Sequence, residues 1–283
     1  MTTEQVCNPP PPPSLPPPPQ NWSKSVGFTK WTEVPIGDYI SKHWNRLTND
    51  DDSMHVVSTF CTLNPVIQNG PQCGIVALSM ATQLLKASVT VDRICQEAQI
   101  LKFTAKGEMF SVENMKVLAE TVLGTCDAQV LHSSSSAPGQ IIMHLLQGKP
   151  LLVPYDSDHN FEPCMRNGQS AHWAVLHGFC LVVPEETVRL VHLENDQCHK
   201  RLHHLTPGVH EESVVLQLLN DSKNVFVYAH QGKSSHYALW SLDDLLVSNS
   251  NLTRVTTKYD ASEFILPEGG VARGLAGKLL ALR

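Results

Sequence analysis

The hydrophobic spacing of this chain changes period once, around Gly148-Lys149-Pro150, and that change restricts the fold to one broad class. Before it, 75–85 is an apolar stretch free of Gly and Pro, and apolar residues recur at three- and four-residue spacing over 91–101 and 111–123, the last opened by Ser111 as a cap and closed by Gly124. A loop over 133–139 and a short helix over 140–147 follow. Beyond the change, 150–155, 171–183, 188–193, 225–228 and 236–240 are rich in β-branched and aromatic residues or alternate as strands do. Helices first and strands second predict an α+β domain with an N-terminal helical part and a mainly antiparallel sheet.

The first residues are a different material. Pro9 to Pro13 and Pro16 to Pro19 cannot donate backbone hydrogen bonds, so residues 1–21 read as a polyproline leader, either a docking segment for an aromatic groove or a stiff spacer. Residues 22–55 read as a polar linker or N-terminal extension ending near Asp50-Asp51-Asp52, and 56–283 as the catalytic domain. With 283 residues, 42% of them hydrophobic, a sizeable core can be buried. A formal charge of -6 without a dense Lys/Arg block argues against a nucleic-acid partner or an acidic membrane surface. The chain lacks the roughly 18 consecutive apolar residues of a membrane span and the order of a secretory signal, so the expected location is the cytoplasm. Eight widely spread cysteines without a C-x-x-C pair fit reduced thiols.

One of those thiols is placed as a nucleophile would be. Gln68-Asn69-Gly70-Pro71-Gln72-Cys73-Gly74 is a turn delivering Cys73 to the first position of an apolar helix, where backbone N–H groups and the helix dipole favour thiolate. His172, 99 positions downstream (172 minus 73), opens a strand in Ser170-Ala171-His172-Trp173. A helix-borne Cys and a strand-borne His facing each other across a cleft is the order papain-type enzymes use. Taken singly, such a Cys is usually inert core and such a His structural. The Cys73 N–H and the Gln68 amide are the expected oxyanion donors, with Gln72 as competitor. Asn195, Asp196 and Gln231 remain open as the group that orients the imidazole. Neither metal nor cofactor is expected. Cys198-His199-Lys200-Arg201-Leu202-His203-His204 lacks a second ligand pair at zinc spacing, and 270–279 matches a phosphate loop only superficially, its glycines reading as close-packing positions.

Several motifs together resemble the actin maturation protease family. They are Gly70-Pro71-Gln72-Cys73-Gly74 with Val76-Ala77-Leu78, Gly107-Glu108-Met109-Phe110-Ser111-Val112, Pro154-Tyr155-Asp156, Ala171-His172-Trp173-Ala174-Val175, Gln231-Gly232-Lys233-Ser234 with His236-Tyr237 and Leu239-Trp240, and the late Gly269-Gly270-Val271-Arg273-Gly274-Leu275. The resemblance implies a papain-like cysteine peptidase fold related to bacteriocin-leader peptidases. It also implies an aminopeptidase that removes acetyl-Met or acetyl-Cys from immature actin, with Cys73 as nucleophile and His172 as base. The proline-rich leader resembles the family's N-terminus, which implies binding to profilin. An acetylated first residue offers no ammonium for a metal aminopeptidase to grip, whereas a thiolate needs none. Since family substrates become acidic at the new N-terminus, Lys106 or Lys233 would steer them. Two other readings stand beside this: a profilin- or actin-binding adaptor on a non-catalytic scaffold, and a hydrolase using the same dyad on another substrate.

Overall fold

The computed structural model describes residues 36–134, 136–191, 193–206, 209–254 and 263–283, so the polyproline leader lies outside the described residues. The organising element is a long strand, β4 (Ala171–Pro184), which is buried along nearly its whole length. Its 14 residues exceed what one neighbour covers. On one edge β3 (Leu151–Asp156) pairs with 171–176 and β1 (Met54–Phe60) with 178–184, end to end. On the other edge β7 (Asn224–Gln231) pairs with 174–182, which leaves the first residues of β4 without a strand neighbour on that side among the described residues. The sheet continues through β9 (Lys278–Leu282) and β2 (Ala128–His132) at one end and β6 (Leu202–His204) and β5 (Glu194–Asn195) at the other. β8 (Ala238–Ser241) pairs with β7. All these pairings are antiparallel except β1 with β6. The class is α+β.

A register shift between Leu176 and Gly178 inverts the facing of β4. Ala174 and Leu176 share one core cluster, and beyond the shift Phe179, Leu181 and Val183 share it too. Gly178 is required there, because a Cβ would sit 2.3 Å from Thr59 O. That face is covered by α6 (Ala137–Leu146), α8 (Glu212–Asp221) and α9 (Leu242–Ser250). The opposite face near the start of β4 carries Trp173 and Val175 under α3 (Cys73–Leu84), α4 (Val91–Ile100) and α5 (Val112–Leu123). Residues 74–82 of α3 are buried on every side, as a helix apolar all round must be.

Three differences from the sequence reading have physical causes. Residues 188–193 were expected as a strand, yet α7 (Glu185–Arg189) occupies their start, because Pro184 and the acidic pair Glu185-Glu186 begin a helix there; His192 lies outside the described residues. Helix α6 starts at Ala137, inside the expected 133–139 loop, with a proline in its first turn. In the segment read as a polar linker or N-terminal extension, ahead of a folded region expected from about Val56, α1 (Ile36–Lys42) and α2 (Trp44–Thr48) already bury Ile40 and Leu47 against Val56, Cys180 and Tyr228.

Candidate active site

Cys73 is the first residue of α3, and the helix can approach β4 because Gly74 carries no side chain. A Cβ on Gly74 would meet Met115 Cε at 2.8 Å, Met109 Cβ at 3.0 Å and Trp173 Cδ1 at 3.1 Å. The sulfur takes up the unpaired end of β4. Pro154 has no N–H, so the Pro154–Trp173 pair is of the non-hydrogen-bonded kind and the Trp173 N–H points away from β3, to the edge where β7 has ended. That N–H lowers the pKa of the Cys73 thiol, as do the N–H groups of Gly74 and Cys73 itself.

The adjacent residue is His172, 8% exposed. Its Nε2 lies 3.4 Å from Gln231 Oε1, which also accepts the Lys233 N–H at 2.6 Å. A backbone N–H only donates, so the Gln231 atom between them is the carbonyl oxygen and His172 carries its proton on Nε2. Nδ1 is left as the basic nitrogen. Tyr155, paired with His172 across β3 and β4, meets the imidazole edge-on at 5.8 Å, and Phe161 lies at 6.0 Å. Asp156, fully buried, shapes the loop that carries Phe161: its Oδ2 accepts the N–H of Arg166, that of Gly168 at 3.0 Å and the Asn251 amide at 3.2 Å. Beside His172 a cleft of about 360 Å³ opens between this loop and the β7–β8 hairpin, lined by Phe161, Gln231, Tyr237 and Trp240 among others.

Burial dominates the electrostatics. It pushes the Cys73 thiol up to about 11 against the pull of the three N–H groups and of Lys233. It pushes the His172 imidazole down to about 4, opposed by the bond to Gln231 and assisted by Lys233. The helix start alone favours thiolate, but loss of solvation outweighs it, so the resting pair is neutral thiol and neutral imidazole.

The other residues singled out in the sequence divide clearly. Gln68 donates its N–H to Gly232 O at 2.7 Å and its amide to Gly70 O at 2.6 Å, while its Oε1 is buried without a partner among the described residues. Gln72 turns away from the cleft, its amide directed at Cys95 Sγ, 3.8 Å distant. Asn195 and Asp196 sit across the sheet, where Asn195 Oδ1 meets His203 Nδ1 at 2.8 Å and Asp196 Oδ2 meets His204 Nε2 at 2.9 Å. His199 bonds Ser41. Among the described residues no three His, Cys, Asp or Glu side chains group as metal ligands. Lys106 is paired with Glu263, whereas Lys233 acts on both Cys73 and His172.

Comparison with known proteins gives the family of the chain. The pattern of the family described as actin maturation protease-like, C-terminal domain, matches residues 63–180. The actin maturation protease of Danio rerio is 40% identical over 225 residues, covering 77% of this chain and 71% of that protein. The chain belongs to the actin maturation protease family. The Bos taurus member is 41% identical over 231 residues, 79% of this chain, and the chain spans 66% of its length. The Drosophila melanogaster member is 30% identical over 248 residues. The matched span, 63–180, covers positions 73 and 172 but not 231. Two residues of this family member went unassigned in the sequence reading. Tyr155 and Glu108 were each visible only as part of a motif, and Glu108, 3% exposed, holds its loop through contacts that no spacing announces.

Proposed function

We propose that this chain is a cysteine aminopeptidase that removes the N-terminal acetyl-Met or acetyl-Cys from immature actin. The observation that carries the reading is that the Trp173 N–H acts on the Cys73 sulfur while His172, the preceding residue of β4, is held by Gln231. Membership of a family whose members are named actin maturation protease supports the substrate.

In this mechanism substrate displaces water from the cleft and Nδ1 of His172 takes the Cys73 proton as sulfur attacks the first peptide carbonyl. The developing oxyanion receives the Cys73 N–H and the Gln68 amide hydrogen not engaged by Gly70. The imidazolium, steadied through Nε2–H by Gln231, gives its proton to the leaving amine. A water deprotonated by the same nitrogen then releases the acetylated residue from the thioester, and the sulfur regains its proton. No step requires a metal or an organic cofactor.

Residues 56–283 form the peptidase domain in this reading, with 22–55 an extension and 1–21 a leader that would bind profilin and deliver profilin-bound actin in the cytoplasm. Burial of Ile40 and Leu47 supports an extension docked on the sheet. Among the described residues no helix is long and apolar enough to cross a membrane. The test is mass spectrometry of the actin N-terminus after incubation with wild type and with Cys73→Ala. Loss of the acetylated residue with wild type alone is expected, and equal processing by both would refute the reading.

A further inference from the structure

We propose that the loop over residues 104–110, clasped by Glu108, is an amino-terminal stop that limits the acyl side of the cleft to a single acylated residue. The inference rests on the cysteine peptidase reading above and adds what makes it an exopeptidase.

Successive strand residues point to opposite faces, so the side chains of His172 and Trp173 lie on two sides of β4 where the Trp173 N–H acts on the Cys73 sulfur. The His172 side holds Phe161, Gln231 and the 360 Å³ cleft. A leaving amine must reach the imidazole to be protonated, so the departing polypeptide runs into that cleft. The acyl portion lies on the other side. There the Trp173 indole N–H donates to Met109 O at 2.8 Å, and a Cβ on Gly107 would come within 2.5 Å of Gln72 Cγ. The loop therefore abuts the residues on either side of the nucleophile.

This wall is held from within and from outside. Glu108 Oε1 accepts the N–H of Ala105 at 2.8 Å and of Ile265 at 3.3 Å, and Oε2 accepts that of Lys106 at 2.8 Å. The Gly107 N–H bonds Thr104 Oγ1 at 2.7 Å. A second segment braces the loop: Glu263 pairs with Lys106, Phe264 meets Phe110 edge-on at 5.7 Å, and Gly274 lies so close that a Cβ would stand 2.0 Å from Phe110 O. A buried carboxylate whose oxygens are both taken by backbone N–H groups keeps two chain segments in one geometry. A wall fixed in this way sets how much chain fits ahead of the scissile bond.

The test uses the full chain and three peptides that differ only in carrying no, one or two Gly residues between the acetyl group and Met. Mass spectrometry reads which bond breaks. Wild type is expected to favour the unextended peptide by at least about 100-fold in kcat/KM, and loosened variants by less than about 10-fold. The variants are Glu108→Gln, which sets an NH2 group against backbone N–H donors, and the double surface variant Lys106→Ala/Glu263→Ala, which frees the brace without opening the core. Thermal melting separates local loosening from unfolding. Wild type that accepts extended peptides equally, or folded variants that both keep full discrimination, would overturn the stop. Wild type that releases nothing from the unextended peptide refutes the underlying peptidase reading, and the stop with it.

Discussion

Removing the carbonyl of Gln231 separates an oriented imidazole from one merely nearby. In Gln231→Ala the buried Nε2–H of His172 and the Lys233 N–H both lose the acceptor they share. The 3.4 Å separation to His172 is long for the resting neutral ring, so the bond matters most once the ring is charged. A hydrogen bond to a charged group is worth about 1.5–3 kcal/mol, which converts to about a 10- to 150-fold loss. Because the imidazolium forms only on the way to the acyl-enzyme, the loss should fall on kcat, with KM little changed. Gln231→Glu keeps an acceptor for Lys233 and adds a negative charge beside the ring, which raises the His172 pKa from about 4. The acid limb of kcat/KM, set by protonation of His172 in the free enzyme, should therefore move to higher pH. Steady-state kinetics on an acetylated peptide across the pH range measures both effects. Gln231→Ala within about twofold of wild type, or an unmoved acid limb in Gln231→Glu, would refute this role, since each lies well inside the energy of one charged hydrogen bond.

Other consequences follow from burial and close approach. Gly74→Ala forces the start of α3 off Met115, Met109 and Trp173, and should cost about 1–3 kcal/mol in denaturant unfolding together with most of the activity. Asn195→Ala, which disturbs only the His203 pair, should leave kcat/KM within about twofold, a change of under half a kcal/mol. Burial lowers His144, His172 and His177 to about 4 and His230 to about 2. Each is held neutral in the fold while the unfolded chain takes up its proton near 6.5. Their stabilising effect is thus intact above about pH 6.5 and is lost as pH falls toward 4, by up to about 1.4 kcal/mol per pH unit for each ring. Melting temperatures between about pH 7.5 and 5 should fall steeply, and a flat profile would contradict the neutral, buried assignment.

What the sequence disclosed depended on whether a signal was local. Ser111 and Gly124 mark helix α5 as expected, with Ser111 accepting the Asn114 N–H, and the long apolar run ending at Val183 is β4. The segment 188–193 failed because its apolar positions suit an alternating strand as well as the last turn of a short helix, and Pro184 with two glutamates decides for the helix. Strand β9 was read only as a tightly packed C-terminal segment, since a four-residue apolar run carries no direction or partner. At the proposed site, Cys73 and His172 stood out as candidates by type and order. Which of Asn195, Asp196 and Gln231 bonds His172 was not visible, because that requires knowing that β7 pairs with β4 and ends opposite Ala174. The neutral resting state was hidden for a related reason, because helix position is written in sequence whereas desolvation arises only from packing.

The central claim is a covalent one: the Cys73 sulfur carries the departing acetylated residue. Acid-quenching wild type during turnover of an acetyl-Met peptide, followed by proteolytic mapping and mass spectrometry, tests it directly. The expected result is an acetyl-methionyl thioester on the peptide containing Cys73, absent from Cys73→Ala. Turnover in which Cys73 stays unmodified while another residue carries the acyl group, or undiminished release by Cys73→Ala, would contradict it.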